Sequence, residues 1–335
     1  MTQIFVIAGE PSGDRLGAAL MAGLKQVRPD VTFDGVGGPL MQSEGLVSRF
    51  PMEELSVMGL AEILPRYRAL MARIRETAAA VVETAPDVLI TIDSPDFSLR
   101  VARRVKAASR VRTVHYVAPT VWAWRPGRAA KMARFIDQVL ALFPFEPPYM
   151  TAHGMDCDFV GHPVVAERQA TSAEAQAFRQ SHNIGDAPLL LVLPGSRRGE
   201  IARLSGVFGA VANQVKQLHS DLRIVVPAAG AVADAVLHAV RDWETPPLVI
   251  DPRTNPDQAQ ADKRAAFAAA DVALAASGTV SLELAAARTP MVIAYDMHWL
   301  TRMIMKRMLL IDTVTLVNLV SDTRVIPEFI GKDCR

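Results

Sequence analysis

Short apolar runs alternate with helix-patterned stretches from one end of this chain to the other, in two rounds. In the first half the candidate strands are residues 4–8, 31–35, 88–93, 113–118, 139–143 and 158–160, with helical stretches such as 15–27 and 99–108 between them. The second half repeats the scheme, with strands at 189–193, 223–226, 248–250, 272–275 and 291–294. Its helices are 200–218, 231–243, 263–270 and 280–287. Many of the strand runs are apolar throughout, so both of their faces must be covered. Covered strands alternating with helices predict parallel sheets of the α/β class. Each half opens with one device, a strand running into a glycine-containing loop and then a helix: FVIAGEPSGD first, LLVLPGSRRGE second. Two Rossmann-like doubly wound domains facing a cleft are the simplest architecture, divided as residues 1–165 and 166–335. The junction follows VGHP, where Thr171, Ser172 and Glu174 start a new helix.

Length and composition agree with two cores. The chain has 335 residues, 50% hydrophobic and 21% charged, which excludes a disordered tail protein. Lys+Arg number 36 and Asp+Glu 35, which excludes a uniformly basic nucleic-acid binder. Residues 61–134, however, hold 14 basic against 6 acidic side chains, which suits a phosphorylated substrate, an anionic membrane surface or RNA, or else a set of solvated helix faces. The two cysteines, Cys157 and Cys334, form no CxxC, which fits a reducing compartment. MTQIFVIAGEPSGD lacks a basic leader segment and reads as a buried first strand. No stretch is long and apolar enough to span a bilayer.

In open α/β sheets, ligands bind outside the carboxyl ends of the strands, so the loops there carry the candidate chemistry. In GEPSGD, Gly9 and Gly13 let backbone approach a ligand, and Ser12 or Asp14 can cap the next helix. Glu10 and Asp14 suit a neutral sugar better than a phosphate. In TIDSPDF, Asp93 closes a run of apolar residues and is placed to act as a general base, with Pro95 keeping the backbone extended after it. Asp96 reads instead as a helix cap. In PGSRRGE, the N–H groups around Gly195 and Ser196, with the Arg197 guanidinium, suit a pyrophosphate. In ASGTVSLE, Ser277, Gly278 and Thr279 suit a phosphate at a helix start. Glu283, one turn deeper than Thr279 on the same face, suits the vicinal hydroxyls of a ribose.

His115, inside VHYVAP, reads as a core residue. No histidine spacing suggests a metal, and no cofactor is expected. Trp122 and Trp124 in PTVWAWRPGR read as packing residues. LSVMGLAEILPRYRALMARI interleaves basic and apolar side chains. Its Leu64, Arg66, Tyr67, Arg68 and Leu70 suit either a membrane-surface helix or an ordinary domain helix.

Taken together, AGEPSGD, GVGGPLM, MEELSVMGLAEIL, IDSPDF, HYVAPTVWAWRPGR, FPFE, FVGHP, LPGSRRGEI, ASGTVSLE and LVNLV resemble the lipid-A-disaccharide synthase family. HYVAPTVWAW and the SGD loop are the most specific of these. The resemblance implies a GT-B glycosyltransferase that joins UDP-2,3-diacylglucosamine to 2,3-diacylglucosamine 1-phosphate with inversion. The products are a β-1′,6 disaccharide and UDP. It also implies work at the cytoplasmic face of the inner membrane, as a peripheral protein without a bound metal. Under it, Asp93 is the base on the acceptor 6-hydroxyl and Arg197 contacts the nucleotide. Ser196, Ser277, Gly278, Thr279 and Glu283 form the UDP site, and Asn318 of LVNL lies near the donor. Residues 64–70 face the membrane.

Family members continue for some tens of residues beyond the position of Arg335, in a tail implied to return to the first domain and to pair subunits as a homodimer. Two other readings stay open at this point. Another UDP-sugar enzyme of the same architecture, such as an epimerase, shares the phosphate loops but leaves HYVAPTVWAW unexplained. A catalytically inactive lipid-binding protein is the reading for a chain that has lost the tail.

Overall fold

The computed structural model describes residues 2–55 and 60–335, apart from the side chains of residues 60–66, Leu300 and Lys306. It forms two units, Met1–Pro163 and Val164–Arg335. Each is built on a six-stranded, wholly parallel sheet.

The first sheet contains β1 (Gln3–Ala8), β2 (Thr32–Val36), β3 (Val88–Ile92), β4 (Arg112–Tyr116), β5 (Gln138–Ala141) and β6 (Asp156–Phe159) in the order β2-β1-β3-β4-β5-β6. The second contains β7 (Leu189–Leu193), β8 (Arg223–Pro227), β9 (Leu248–Ile250), β10 (Val272–Ala275), β11 (Met291–Tyr295) and β12 (Glu328–Ile330) in the order β12-β11-β10-β7-β8-β9. Both are doubly wound. The chain runs outward from the first strand on one side, then crosses back to continue on the other. The order therefore reverses between β1 and β3 in one sheet and between β7 and β10 in the other. In such sheets the crevice at that reversal is where ligands bind.

β7 shows why these residues make this fold. All five side chains of LLLVL are buried. Leu189, Leu191 and Leu193 enter one core cluster with Ala273, Ala275 and Ile293. Leu190 and Val192 enter another with Phe208, Ile224 and Val226. A strand with two apolar faces needs helices on both, and each buried Leu or Val contributes about 1.5–3 kcal/mol. Only parallel pairing with crossover helices supplies that cover.

The opposite ends of the strands are fastened by a recurrent device. Asp87, Asp137 and Asp271 each stand just before a strand. Their Oδ2 atoms accept the N–H of Gln3 (2.8 Å), Thr113 (2.9 Å) and Leu189 (2.8 Å) on the neighbouring strand. Their own N–H groups donate to the C=O of the same three residues, each at 3.0 Å. Burial pushes Asp137 up. Lys106, at 2.6 Å from both oxygens, and the Thr113 bonds outweigh that and hold it below the usual carboxylate range.

β12 was not foreseen in the sequence. It is a three-residue edge strand with no buried residue, too short and mixed to carry a signal.

Candidate functional site

The sequence motifs gather at the two reversals. In the first domain, GEPSGD follows β1 and Asp93 follows β3. Helix Pro11–Val27 starts immediately after Glu10, with Pro11 in its first turn. The N–H of Asp14 closes the first helical bond onto Glu10 C=O at 3.0 Å, so Ser12 and Gly13 present first-turn donors with no partner inside the helix. Ser12 is exposed. Gly9 is packed so closely that a Cβ there would lie 2.6 Å from Ser94 Oγ. The loops after β1 and β3 thus touch.

Asp14 has a different place from the one anticipated. It is 3% exposed, and neither oxygen is open to a ligand or to its own helix. Oδ1 accepts the N–H of Gly38 at 2.9 Å and of Met41 at 3.0 Å, and Oδ2 that of Leu40 at 3.0 Å. Asp14 therefore caps helix Pro39–Ser43, which explains why AGEPSGD and GVGGPLM occur together.

Asp93 is half-buried at the end of β3, its N–H donating to Tyr116 C=O at 3.0 Å. The backbone after it is not extended. Asp93 and Ser94 both have φ of 45°. Pro95 is the first residue of helix Pro95–Ala108 and excludes the right-handed α conformation at Ser94. Asp96 is not the cap but an exposed residue of the first turn. Val117, just past β4, also has positive φ, at 84°, an outlier for a β-branched residue. Strained backbone of this kind concentrates at functional sites.

Behind this edge lies a polar core that the motifs did not reveal. His115 is buried, with Nδ1 2.8 Å from Thr91 Oγ1. Burial and the charge of Arg128 push it down to about 3, so it is neutral. Glu146 of FPFE is 2% exposed. It accepts the Trp122 indole N–H at 3.2 Å and the N–H groups of Leu142 and Phe143 at 3.0 Å. Burial pushes it up to about 7 despite these bonds. Trp122 is thus a packing residue, tied by Glu146 to the loop after β5. Trp124 donates to Thr120 Oγ1 at 2.9 Å and lies under the Arg125 guanidinium.

In the second domain, PGSR follows β7 and ASGT follows β10. Gly195 has φ of 120°, and a Cβ on it would meet Glu200 Oε2 at 2.5 Å. That oxygen accepts the N–H of Ser196 at 3.0 Å and of Arg197 at 3.3 Å, so two of the donors proposed for a pyrophosphate are held by the protein itself. The spacing of Glu200, three residues beyond the cap position of helix Arg198–Leu218, carries this signal in the sequence. The Arg197 guanidinium is 3.5 Å from Glu200 Oε1 and remains exposed, as does Ser196.

After β10, Gly278 and Thr279 are exposed, whereas Ser277 Oγ donates to Val314 C=O at 3.2 Å. Glu283, on helix Val280–Ala286, is half-buried and accepts from Lys263 Nζ at 2.5 Å. Lys263 lies twenty residues upstream and has no local signal.

Asn318 lies inside the second domain. It is 1% exposed. Its Nδ2 donates to Thr313 Oγ1 (3.3 Å) and Ile326 C=O (3.0 Å), and its Oδ1 accepts Ile326 N–H (3.0 Å). The amide is bound on both sides inside the protein. It braces the segment that Glu328 Oε1 holds through Thr313 Oγ1 and the N–H groups of Val314 and Thr315.

Of the membrane-facing candidates on helix Leu60–Thr84, Tyr67 and Arg68 are exposed. Leu70 is partly buried and packs against the domain core. The side chains of Leu64 and Arg66 lie outside the described residues. Among the described residues no helix is long and apolar enough to cross a membrane. None of them group three or more His, Cys, Asp or Glu side chains about a metal position.

Two doubly wound domains, each with a glycine loop at its strand-order reversal, define a two-domain α/β fold of the GT-B type. Solved structures share this fold. UDP-GlcNAc 2-epimerase from Neisseria meningitidis bound to UDP-GlcNAc aligns with a TM-score of 0.65 at 12% identity, covering 98% of this chain and 88% of that one. The S. aureus MnaA–UDP structure aligns with a TM-score of 0.62 at 12% identity, covering 96% and 87%.

The family model described as lipid-A-disaccharide synthetase matches residues 4–335. The lipid-A-disaccharide synthase of Ruegeria pomeroyi is 66% identical over all of this chain and 84% of its own length. That of Rhodospirillum centenum is 49% identical over 99% of this chain and 81% of its own. The chain belongs to the lipid-A-disaccharide synthase family and is a glycosyltransferase.

Proposed function

We propose that this enzyme joins UDP-2,3-diacylglucosamine to 2,3-diacylglucosamine 1-phosphate, forming the β-1′,6-linked lipid A disaccharide 1-phosphate and releasing UDP. The match of residues 4–335 to one family, with 66% identity to a named synthase, carries this reading. It favours a synthase over an epimerase, with which the chain shares only fold at 12% identity.

In this reading the first domain takes the acceptor. Asp93 removes the proton of the 6-hydroxyl as the oxygen attacks the anomeric carbon of the donor. The bond from that carbon to the UDP oxygen breaks on the opposite side, and the anomeric centre inverts. The Ser12 and Gly13 N–H groups bind acceptor oxygens, and Asp14 keeps their loop in place. The second domain holds UDP. Arg197 neutralises the pyrophosphate, with Ser196, Gly278 and Thr279 beside it. Glu283, oriented by Lys263, accepts from the ribose hydroxyls. Such charge-assisted contacts are worth about 1.5–3 kcal/mol each.

Both substrates carry acyl chains, so the enzyme works against a bilayer as a peripheral protein. Arg68 and Tyr67 are the described residues suited to the anionic surface. Incubation with the two diacylated sugars tests the reading. Release of UDP with a disaccharide phosphate is expected. Epimerised UDP-sugar, or no turnover with both substrates present, overturns it.

A further inference from the structure

The second domain carries an exposed feature that the UDP-sugar reading does not use. Helix Trp299–Met308 follows β11 and therefore lies at the carboxyl edge of the second sheet, the edge that bears PGSR and ASGT. Trp299, Met303 and Arg307 are each four residues apart and stack on one helix face, with Ile304 beside them. All four are exposed. Trp299 keeps 65% of its surface, and Leu310, just past the helix, keeps 61%. Exposed apolar residues scattered singly are ordinary, but a contiguous set marks a contact surface.

Charge decides what covers it. Residues 297–311 contain Arg302, Lys306 and Arg307 and no Asp or Glu. Arg302 is turned to Asp296 Oδ1 at 2.5 Å, whereas Arg307 stands in the middle of the apolar face. An acid-free face with an indole at one end and a cation among apolar side chains fits the boundary of an anionic bilayer. The cation reaches headgroups while the apolar groups enter between them. A helix of 10 residues is far too short to span, so the fit is to a helix lying flat.

We propose that Trp299, Met303, Ile304, Arg307 and Leu310 form a second membrane contact, on the nucleotide-binding domain, that lies flat on an anionic lipid surface. The inference rests on the reading of this protein as an enzyme of bilayer-held lipids. It predicts that membrane attachment does not depend on the first domain alone.

The test uses vesicles of phosphatidylglycerol and phosphatidylcholine in equal parts, with wild type, a Met303→Ser/Ile304→Ser double variant and Arg307→Glu. These positions are exposed, and circular dichroism confirms folding. Both variants are expected to lower vesicle affinity roughly tenfold. Brominated acyl chains are expected to quench a component of tryptophan emission that is absent in Trp299→Phe. Unchanged affinity with no Trp299 quenching, in a wild type that still binds, overturns the second contact and leaves the membrane reading standing. Failure of wild type to bind at all overturns both. Loss of concentration-dependent self-association in the double variant, with vesicle binding intact, assigns the face to a second copy of the chain and also overturns the proposal.

Discussion

Asp93 and Ser94 hold a left-handed backbone that side chains other than glycine adopt at a cost of about 1–3 kcal/mol each. Asp and Asn are among the side chains that adopt it most readily. Asp93→Asn keeps that geometry and removes the proton acceptor. Turnover is expected to fall about 10²–10⁴-fold with UDP affinity unchanged, as read by steady-state rates beside calorimetry.

Glu146 gives a second prediction at this scale. Its carboxyl is raised from 4.5 to about 7 in the folded protein. The native state therefore holds the proton more tightly than the unfolded chain. The stabilisation is fully present below about pH 4.5 and is lost as pH rises through 7. Glu146→Gln removes the titration. The stability difference between variant and wild type should shift toward the variant from pH 4.5 to pH 8. The shift is on the order of 3 kcal/mol and is measurable by urea unfolding. A difference that stays flat with pH would mean that Glu146 is ionised throughout.

Most strands were legible at the level of elements because parallel strands buried on both faces leave unbroken apolar runs. Residues 189–193, 248–250 and 272–275 agree with β7, β9 and β10 at both ends. Helix starts were read late for one recurring reason. Pro11, Pro95 and Pro256 look like breaks in the sequence. At the first helical position, though, proline loses no bond and its fixed φ begins the helix. The motifs placed the candidate loops at the strand-order reversals but did not tell which of their atoms are bound within the protein. Asp14, Ser277 and Asn318 proved to be braces, because their partners at residues 38–41, 314 and 313–326 are set by tertiary packing. Two variants separate the kinds. Arg197→Ala, at an exposed cation, should weaken UDP binding roughly tenfold with an unchanged melting temperature. Asn318→Ala should lower unfolding stability by about 1–3 kcal/mol, because it strands buried partners at Ile326 and Thr313.

For the whole molecule, the even totals of acid and base concealed the basic stretch at residues 61–134. If that stretch meets the membrane, Arg68→Glu should reduce binding to anionic vesicles. Salt should weaken wild-type binding as screening shortens to about 10 Å at 0.1 M. Co-sedimentation that is indifferent to both would separate the first domain from the bilayer.

The position of the loops at the strand-order reversals also governs how this protein comes into being. β1 pairs with β3 across 84 residues of chain, and β7 pairs with β10 across 82. During synthesis, the most apolar strand of each domain therefore waits with one edge open until the far side of its sheet has left the ribosome. Pairing at such separation is slow and exposed to aggregation. Neither reversal can form before β3 or β10 has been made, so slower synthesis at lower temperature should raise the yield of folded protein.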